Sequence, residues 1–541
     1  MSYTQGVNLF VQDNGLGQSP PGQGNTEYVI GIGSTGPYWQ VIQSTNPAAF
    51  QANGTGPGVE MAAFIANSTG NPVAFVAVPS TAVGANASYA GVANGVTVGA
   101  SNISTSVVTL SGTPNDSYYG QMTVVSVGGN STAGTVGTVG TTGIQVQVSL
   151  DNNRSVYQTS NLGTASSLVI TFPGQPTTGL TLNFAAGTLC VGDTFKWIST
   201  EPVWSDAAIQ SAINCMLPLP SLIPEDIIVV GGSCVRVSTS TYSGTVSAGW
   251  AGTVGCQPSD LTAFDGYMTT LFNKRRFNNL ICQAGDAQQG GTSTETEALW
   301  LTSLETNFAS IAAASLKVGI TGGHYNCISP FTQAQFRRPL LFQAAARDSG
   351  VAIQVDLGRV LDGALANMPA SPPTSPDGFI YHDEQVNPGL DAARFISCWS
   401  LLNRPGLFIK NPNMMVAPGS DFNWLQHGHV MNAACLIAYD FFVEQLSNSV
   451  RVSATTGFIL PQDAMTLQTG CNTALATGLT NAGAVSAATC TVSQTDNILS
   501  TSTLTVKVSI VPLGYLKAIN VTLVFTNPST IAVSQPTLGP Q

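Results

Sequence analysis

The side chains in this chain that could do chemistry are few and scattered. Four histidines, His324, His382, His427 and His429, are the only imidazoles in 541 residues. His382 heads the run His382-Asp383-Glu384, where a carboxylate beside an imidazole could serve acid–base catalysis or metal binding. His427 and His429 could in principle share an ion, but their segment reads as helix, on which residues two apart point to different faces. The run GIGSTG at 31–36 follows a strand and fits GxGxxG, whose glycines let a backbone approach a pyrophosphate. Pro37 and Tyr38 then stand where a long helix should begin, and Trp39-Gln40-Val41 continues as strand or turn. Gly-Lys, GxSxG, HExxH and CxxC are all absent, which removes the commonest phosphate, nucleophilic, metal and thiol routes. No catalytic, cofactor or metal residue is assigned, and the chain is read as not an enzyme.

Ten cysteines lie at 190, 215, 234, 256, 282, 327, 398, 435, 471 and 490, the closest of them nineteen apart, so no pair has zinc-ligand spacing. Cys398 in AARFISCWSLL and Cys435 in MNAACLIAY read as small buried hydrophobes. Cys190, Cys234, Cys256, Cys327, Cys471 and Cys490 stand in Gly/Ser/Thr-rich context and are the candidates for oxidation, within or between chains, in oxidising surroundings. The basic clusters Lys274-Arg275-Arg276 and Arg337-Arg338 read as solvated helix ends, with inter-subunit ion pairs as the competing role.

The elements that carry these residues fall into blocks. Residues 1–25 hold a short alternating run, Val7, Leu9 and Val11, followed by LGQSPPGQGN, which continues neither strand nor helix. This reads as an arm that finds its strand partner in another subunit. EYVIGIG, a turn at NPAAFQAN, the helix VEMAAFIANS and the strand NPVAFVAVPS occupy 26–79. From 80 to 200 the chain turns to Thr, Ser, Val and Gly, with β-branched runs such as TSVVTLSG, YYGQMTVVSVGG, GIQVQVSLD, SSLVITFPG and TGLTLNFAAG at roughly ten-residue spacing. An inserted all-β, sandwich-like domain is expected there. From 201 to 368 helices (SDAAIQSAINCML, SDLTAFDGYMTTLFNKRR, TETEALWLTSLETNFASIAAA) alternate with strands (EDIIVVGG, NNLICQA, LKVGITGG, VAIQVDLG), completing with 26–79 a layered α/β core. After a Pro-rich break at 369–378, a last α+β domain at 379–541 is expected to have helices near 388–402 and 421–446. It ends in two alternating strands, Leu504-Val506-Val508-Ile510 and Ile519-Val521-Leu523-Phe525, paired as a hairpin around Pro512 and Gly514.

Composition limits the function classes. Only 8% of residues are charged while 43% are hydrophobic, which argues against disorder and describes a surface covered by neighbouring copies. The net charge of −11 carries no long basic run, so nucleic acid is not expected as a partner. Residues 1–24 show no secretory signal, and no apolar stretch reaches membrane-spanning length.

The residues then show a resemblance. Val29 to Pro79, with its strand, Gly-Pro turn and Gly70-to-Val78 strand, is similar to the early core of the tail sheath proteins of contractile phage tails and related injection machines. The insertion runs GTPNDSYYG, SLDNN and VGDTF resemble those of one sheath subgroup. YHDEQVNPGLDAARFISCWSLLNRPGLFIKNPNMMVAPGSDFNWLQHGHVMNAAC follows the family's order of helix, RPG turn, strand, APGSDF and long helix, and SIVPLGYLKAINVTLVF resembles its ending. The resemblance implies a homo-oligomer of stacked rings around an inner tail tube, meeting baseplate and tail terminator proteins. It also implies assembly in the host cytoplasm, a place in the virion tail, and contraction for genome ejection. It implies strand exchange through the terminal arms, which for this chain means Val7, Leu9 and Val11 at one end and the two closing strands at the other. The competing readings are a surface-layer or capsid protein and a carbohydrate-binding or hydrolytic surface protein. The sheath reading carries three expectations: loss of residues 1–15 prevents polymerisation, residues 80–200 can be removed without loss of assembly, and the six candidate cysteines cross-link the particle.

Overall fold

The computed structural model describes residues 26–522 apart from 85, 88–95, 100, 142, 173–176, 239–240, 244–252, 288–294, 312–316, 367, 369–373, 376–377 and 385–387. Val7, Leu9, Val11, Leu523 and Phe525 therefore lie outside the described residues.

A six-stranded sheet organises the core. Its strands are β1 (Glu27–Ile32), β2 (Val41–Ser44), β3 (Val73–Val78), β4 (Asp226–Val229), β5 (Asn279–Gln283) and β6 (Val318–Thr321), in the order β2-β3-β1-β4-β5-β6. Only β2 runs antiparallel, and the others are the near-continuous apolar runs that a sheet covered on both faces requires. Alternation sends Tyr28, Ile30, Ile227, Val229, Leu280 and Cys282 to one face. There they meet α2 (Asp206–Asn214), α3 (Pro258–Asn273) and α4 (Glu297–Phe308). Val29, Phe75, Ile228 and Ile281 point to the other face, against α1 (Pro57–Thr69) and α5 (Leu341–Ser349). A Cβ on Gly31 would stand 2.6 Å from Gly58 Cα. The glycines of GIGSTG thus let β1 end against the first turn of α1, which gives that motif a packing role.

Between residues 80 and 200 the described residues form strands and no helix. Tyr118–Val127 pairs with Ile144–Ser149 and Thr194–Ser199, while Thr177–Phe184 pairs with Ser167–Thr171 and Val108–Gly112. Their apolar faces share one cluster, into which Ala334 and Phe336 also insert. These two come from the hairpin β7 (His324–Ile328) and β8 (Gln335–Pro339).

Three expected elements differ. VAIQVDLG is a chain of turns, held by Val351 N–H to Asp348 C=O and Arg359 N–H to Asp356 C=O. The segment 388–402 is not a helix. The Asp383 carboxylate accepts the N–H groups of Gly389 and Asp391 and the hydroxyl of Tyr381, Arg394 is left-handed at φ 73°, and the chain enters β9 (Cys398–Leu401), paired with β10 (Arg404–Ile409). The closing hairpin is also different: β11 (Ala487–Val492) pairs antiparallel with β12 (Val506–Val511), from Val492 with Val506 to Ala487 with Val511. Helices α6 (Leu425–Val443) and α7 (Pro461–Leu475) complete this region, α7 packing on β11. No helix among the described residues is long and apolar enough to cross a membrane.

Candidate functional site

The C-terminal strand and the segment after it form the first candidate site. Leu504, Val506 and Val508 are half-buried and Ile510 is buried against the cluster of α7 and β11. The apolar face of β12 is therefore used within its own chain. Both outer edges of the β11–β12 pair are unpaired among the described residues. Past Pro512 the chain runs on without regular structure to residue 522. Two contacts pin it to the body. The Tyr515 hydroxyl donates to Gln354 C=O at 2.7 Å, its ring packing on Trp424 and His427. Lys517 pairs with Asp356 and lies 4.9 Å over the Trp424 ring. Leu516 between them is 88% exposed, and Ile519 and Val521 beyond them are 74% and 73% exposed. Ile519 and Val521 keep strand alternation with no strand partner among the described residues.

The cysteines are placed otherwise than expected. Cys190, Cys234, Cys256, Cys327, Cys471 and Cys490 are all buried, as are Cys282, Cys398 and Cys435, and only Cys215 is half-exposed. A Gly/Ser/Thr-rich context here marks tight strand packing rather than surface. Burial pushes the Cys234 and Cys327 thiols up to about 12, so they stay protonated and unreactive. A disulfide between subunits needs Cα atoms within roughly 4.4–6.8 Å, which thiols inside a core do not offer to a neighbour. Cys471 and Cys490 instead lie close enough between α7 and β11 for each to shift the other's protonation, and an internal bridge there is the pairing that remains open. A bulky maleimide applied to the folded chain is expected to modify no thiol other than Cys215, and non-reducing gels to show a monomer band. Fast labelling of a second cysteine, or a covalent ladder, would contradict this.

Arg337 and Arg338 are not helix ends. Both are buried on β8, where Arg337 pairs with Asp286 at 2.5 Å, and Arg338 with Glu60 at 2.5 Å and Asp116 at 2.9 Å. Of Lys274-Arg275-Arg276, which does follow a helix end, Arg276 donates to the carbonyls of Leu222 and Leu219. His324 is buried 3.7 Å from Asp286, and burial holds its imidazole down at about 4. His427 donates from Nδ1 to Asp421 C=O. His429, on another face of α6, enters the core.

What His429 enters is a group the sequence reading missed. Parallel register puts Glu27 beside Asp226 and Asp226 beside Asn279, at the N-terminal ends of β1, β4 and β5. All three share the parity of Val29, Ile228 and Ile281, hence the face covered by α5 and α6. Asp348 arrives from the last turn of α5, and Glu225 immediately precedes β4. His429 Nε2 lies 2.9 Å from Asp226 and 3.7 Å from Asp348, and Nδ1 lies 3.4 Å from Glu225. Asn279 Nδ2 donates to Asp226 at 3.2 Å, and Asn432 Nδ2 to Asn279 at 3.1 Å. Gly428 is required by this approach, because a Cβ there would stand 2.7 Å from Asn279 Oδ1. Burial and then the neighbouring carboxylates drive Glu27 and Glu225 well above the usual range; burial does the same to Asp348, outweighing the attraction of His429. Burial opposes charge on Asp226 too, but His429 overcomes it and holds Asp226 low, while its own imidazole rises to about 9 against burial. Ligand atoms of Glu225, Asp348 and His429 lie within 4.8 Å of one another.

No family model matches the chain, and no curated protein matches it. Among solved structures it is similar to the sheath tail protein from Desulfitobacterium hafniense, at 11% identity and TM-score 0.39, covering 94% of this chain and 100% of that one. It is similar also to the sheath tail protein from Listeria innocua, at 10% identity and TM-score 0.40, covering 92% and 97%. A sheath complex of an extracellular contractile injection system in its contracted state is similar at 10% identity and TM-score 0.33, covering 50% and 69%.

Proposed function

We propose that this chain is a non-enzymatic structural subunit of a contractile tail sheath, polymerising as stacked rings around an inner tube and contracting to drive that tube through an envelope. The observation that carries the proposal is the segment after Lys517, where Ile519 and Val521 leave the body as an exposed alternating arm. Close by in sequence, the β11–β12 pair offers open edges. A strand with unmet backbone hydrogen bonds gains them by adding to such an edge, so one copy can supply the arm and the next the sheet. The low charge of the whole chain fits a surface that neighbours cover. The sequence resemblance to sheath proteins at 380–526 supports reading this segment as such an arm. An inner tube protein, a baseplate and a terminator are the partners this role requires, and the virion tail is its location. The division into arm, core, 80–200 insertion and C-terminal domain belongs to the same proposal.

Electron microscopy of the purified full-length chain tests the reading. Tubes of stacked rings are expected. Flat arrays or closed shells would mean a surface-layer or capsid protein, and a monomer that never assembles, with or without a tube protein, would remove the structural role.

A further inference from the structure

We propose that Glu225, Asp348 and His429, backed by Asp226 and Glu27, hold a divalent cation of the manganese-to-zinc class that clamps α6 to the central sheet. Four carboxylates meet one imidazole in this volume, and each of the five residues is buried. So many acids out of water cannot all ionise without a counter-charge, since burying an isolated charge is strongly unfavourable. One imidazolium offsets only one of them; a divalent cation that displaces the ring proton of His429 to solvent brings two positive charges in its place and leaves a neutral imidazole to ligate.

The second observation is the orphaned lone pairs. Neither oxygen of Glu225 accepts a hydrogen bond, nor does Asp348 Oδ2, and all three atoms are sealed from solvent. Buried polar atoms are almost always satisfied, and a structure that sets an unsatisfied oxygen of Glu225 and one of Asp348 within 3.4 and 3.7 Å of one imidazole has the form of a ligand set. The donors come from the residue before β4, the end of α5 and the second turn of α6, so a cation here joins three elements. Asn279 and Asn432 hold the Asp226 carboxylate from behind, the kind of outer support that fixes ligand orientation.

Ligand chemistry selects the ion. An imidazole with carboxylates suits manganese, iron or zinc, whereas calcium and magnesium favour all-oxygen shells with carbonyls or waters. The approach is a cleft of about 460 Å³ whose wall includes Glu225 and His429, with the ligand oxygens just behind that wall. Its lining includes Lys274, Arg275 and Arg276, whose charge slows cation passage and makes exchange with a chelator slow.

The test uses the tag-free full-length chain, stripped by prolonged EDTA treatment and then equilibrated with manganese or zinc chloride. Elemental analysis after gel filtration is expected to find about one ion per chain, with a melting temperature several degrees above that of the stripped protein. Glu225→Gln and Asp348→Asn are expected to abolish both the stoichiometric ion and the metal-dependent rise. The proposal is overturned if the wild type retains neither metal, or if the ion persists in both variants. It is overturned equally if the two variants simply melt higher than wild type with no metal effect, which is the behaviour of an acid cluster neutralised by protons. Should the variants not fold, X-ray absorption on the loaded wild type decides between a mixed nitrogen and oxygen shell, as expected, and any sulfur-containing or all-oxygen shell, which would place the ion elsewhere.

Discussion

Removing residues 514–541 is expected to leave a folded monomer that no longer polymerises. The body ends at β12, whose Val511 carbonyl accepts from Ser486 N–H, so truncation after Leu513 leaves every strand pair and helix intact. What the monomer loses is the Tyr515 hydrogen bond with its ring packing on Trp424 and His427, and the Lys517 contacts to Asp356 and Trp424, all local to the segment removed. Asp356, itself buried, loses its cation but keeps its bonds from Gln426 and from Gly358 N–H, so the truncated monomer is expected to melt lower than the full chain while staying folded. Under the proposed arm exchange, assembly loses a whole strand per contact, and the expected outcome is a fall from tubes to none. Ile519→Asp with Val521→Asp is expected to do the same while keeping the chain's length. Gel filtration with electron microscopy checks both, and normal tubes from either variant would dismiss the arm as the joining element. Loss of residues 1–15 is expected to have the same effect if Val7, Leu9 and Val11 form the complementary arm.

The second large effect is on folding. Arg338→Met is expected to destabilise the chain by about 3–5 kcal/mol, because removing one partner of a buried ion pair leaves the others uncompensated. Arg338 Nε donates to Glu60 at 2.6 Å, Nη2 to Asp116 at 2.9 Å and Nη1 to the Ser117 carbonyl at 3.3 Å. One guanidinium thus serves two carboxylates from distant parts of the chain. That sharing explains why the Arg338 cation is held more firmly than usual while Asp116 is pushed up to about 7, by burial first and with Glu60 adding to it. The pH dependence follows in sign. A carboxyl raised on folding favours the folded state fully below its unfolded value near 4, and that contribution is lost as pH rises through about 7. Asp116→Asn is therefore expected to flatten the stability profile between pH 4 and 7, and urea titrations across that range measure both variants. A slope unchanged in Asp116→Asn would assign the pH dependence to other carboxyls.

The same network bears on the all-β insertion. Excising 80–200 removes Asp116 from Arg338 and uncovers Phe336, whose ring stacks among Tyr118, Tyr157 and Phe172. A clean excision therefore needs Phe336 and Arg338 replaced as well, a requirement the composition shift at residue 80 does not reveal.

Local pattern was enough for much of this fold. Five of the strands in the core sheet read directly as apolar runs, because a parallel strand buried on both faces has no alternative composition. The long helix at 425–443 and the strand runs of 80–200 followed from their periods in the same way. Elements failed where a single distant side chain decided the backbone. Asp383 gathers Gly389, Asp391 and Tyr381 into turns where the sequence has helical spacing. The partner of Val506–Val511 proved to be Ala487–Val492, because Pro512 ends the strand and the docking of Tyr515 and Lys517 carries the following residues away. Cysteines in Gly/Ser/Thr-rich stretches read as exposed, since polarity of neighbours reports exposure only where strands are not packed on both sides. The acid cluster was the least legible. Glu27, Glu225 with Asp226, and Asn279 each look like ordinary polar strand starts. They become a candidate site only when parallel register aligns the strand ends at Glu27, Asp226 and Asn279 and two helices bring Asp348 and His429 onto the same face. Residue type and period are local quantities, and the sequence carries them. Which charges share one buried volume depends on register and packing, and only the tertiary structure decides that.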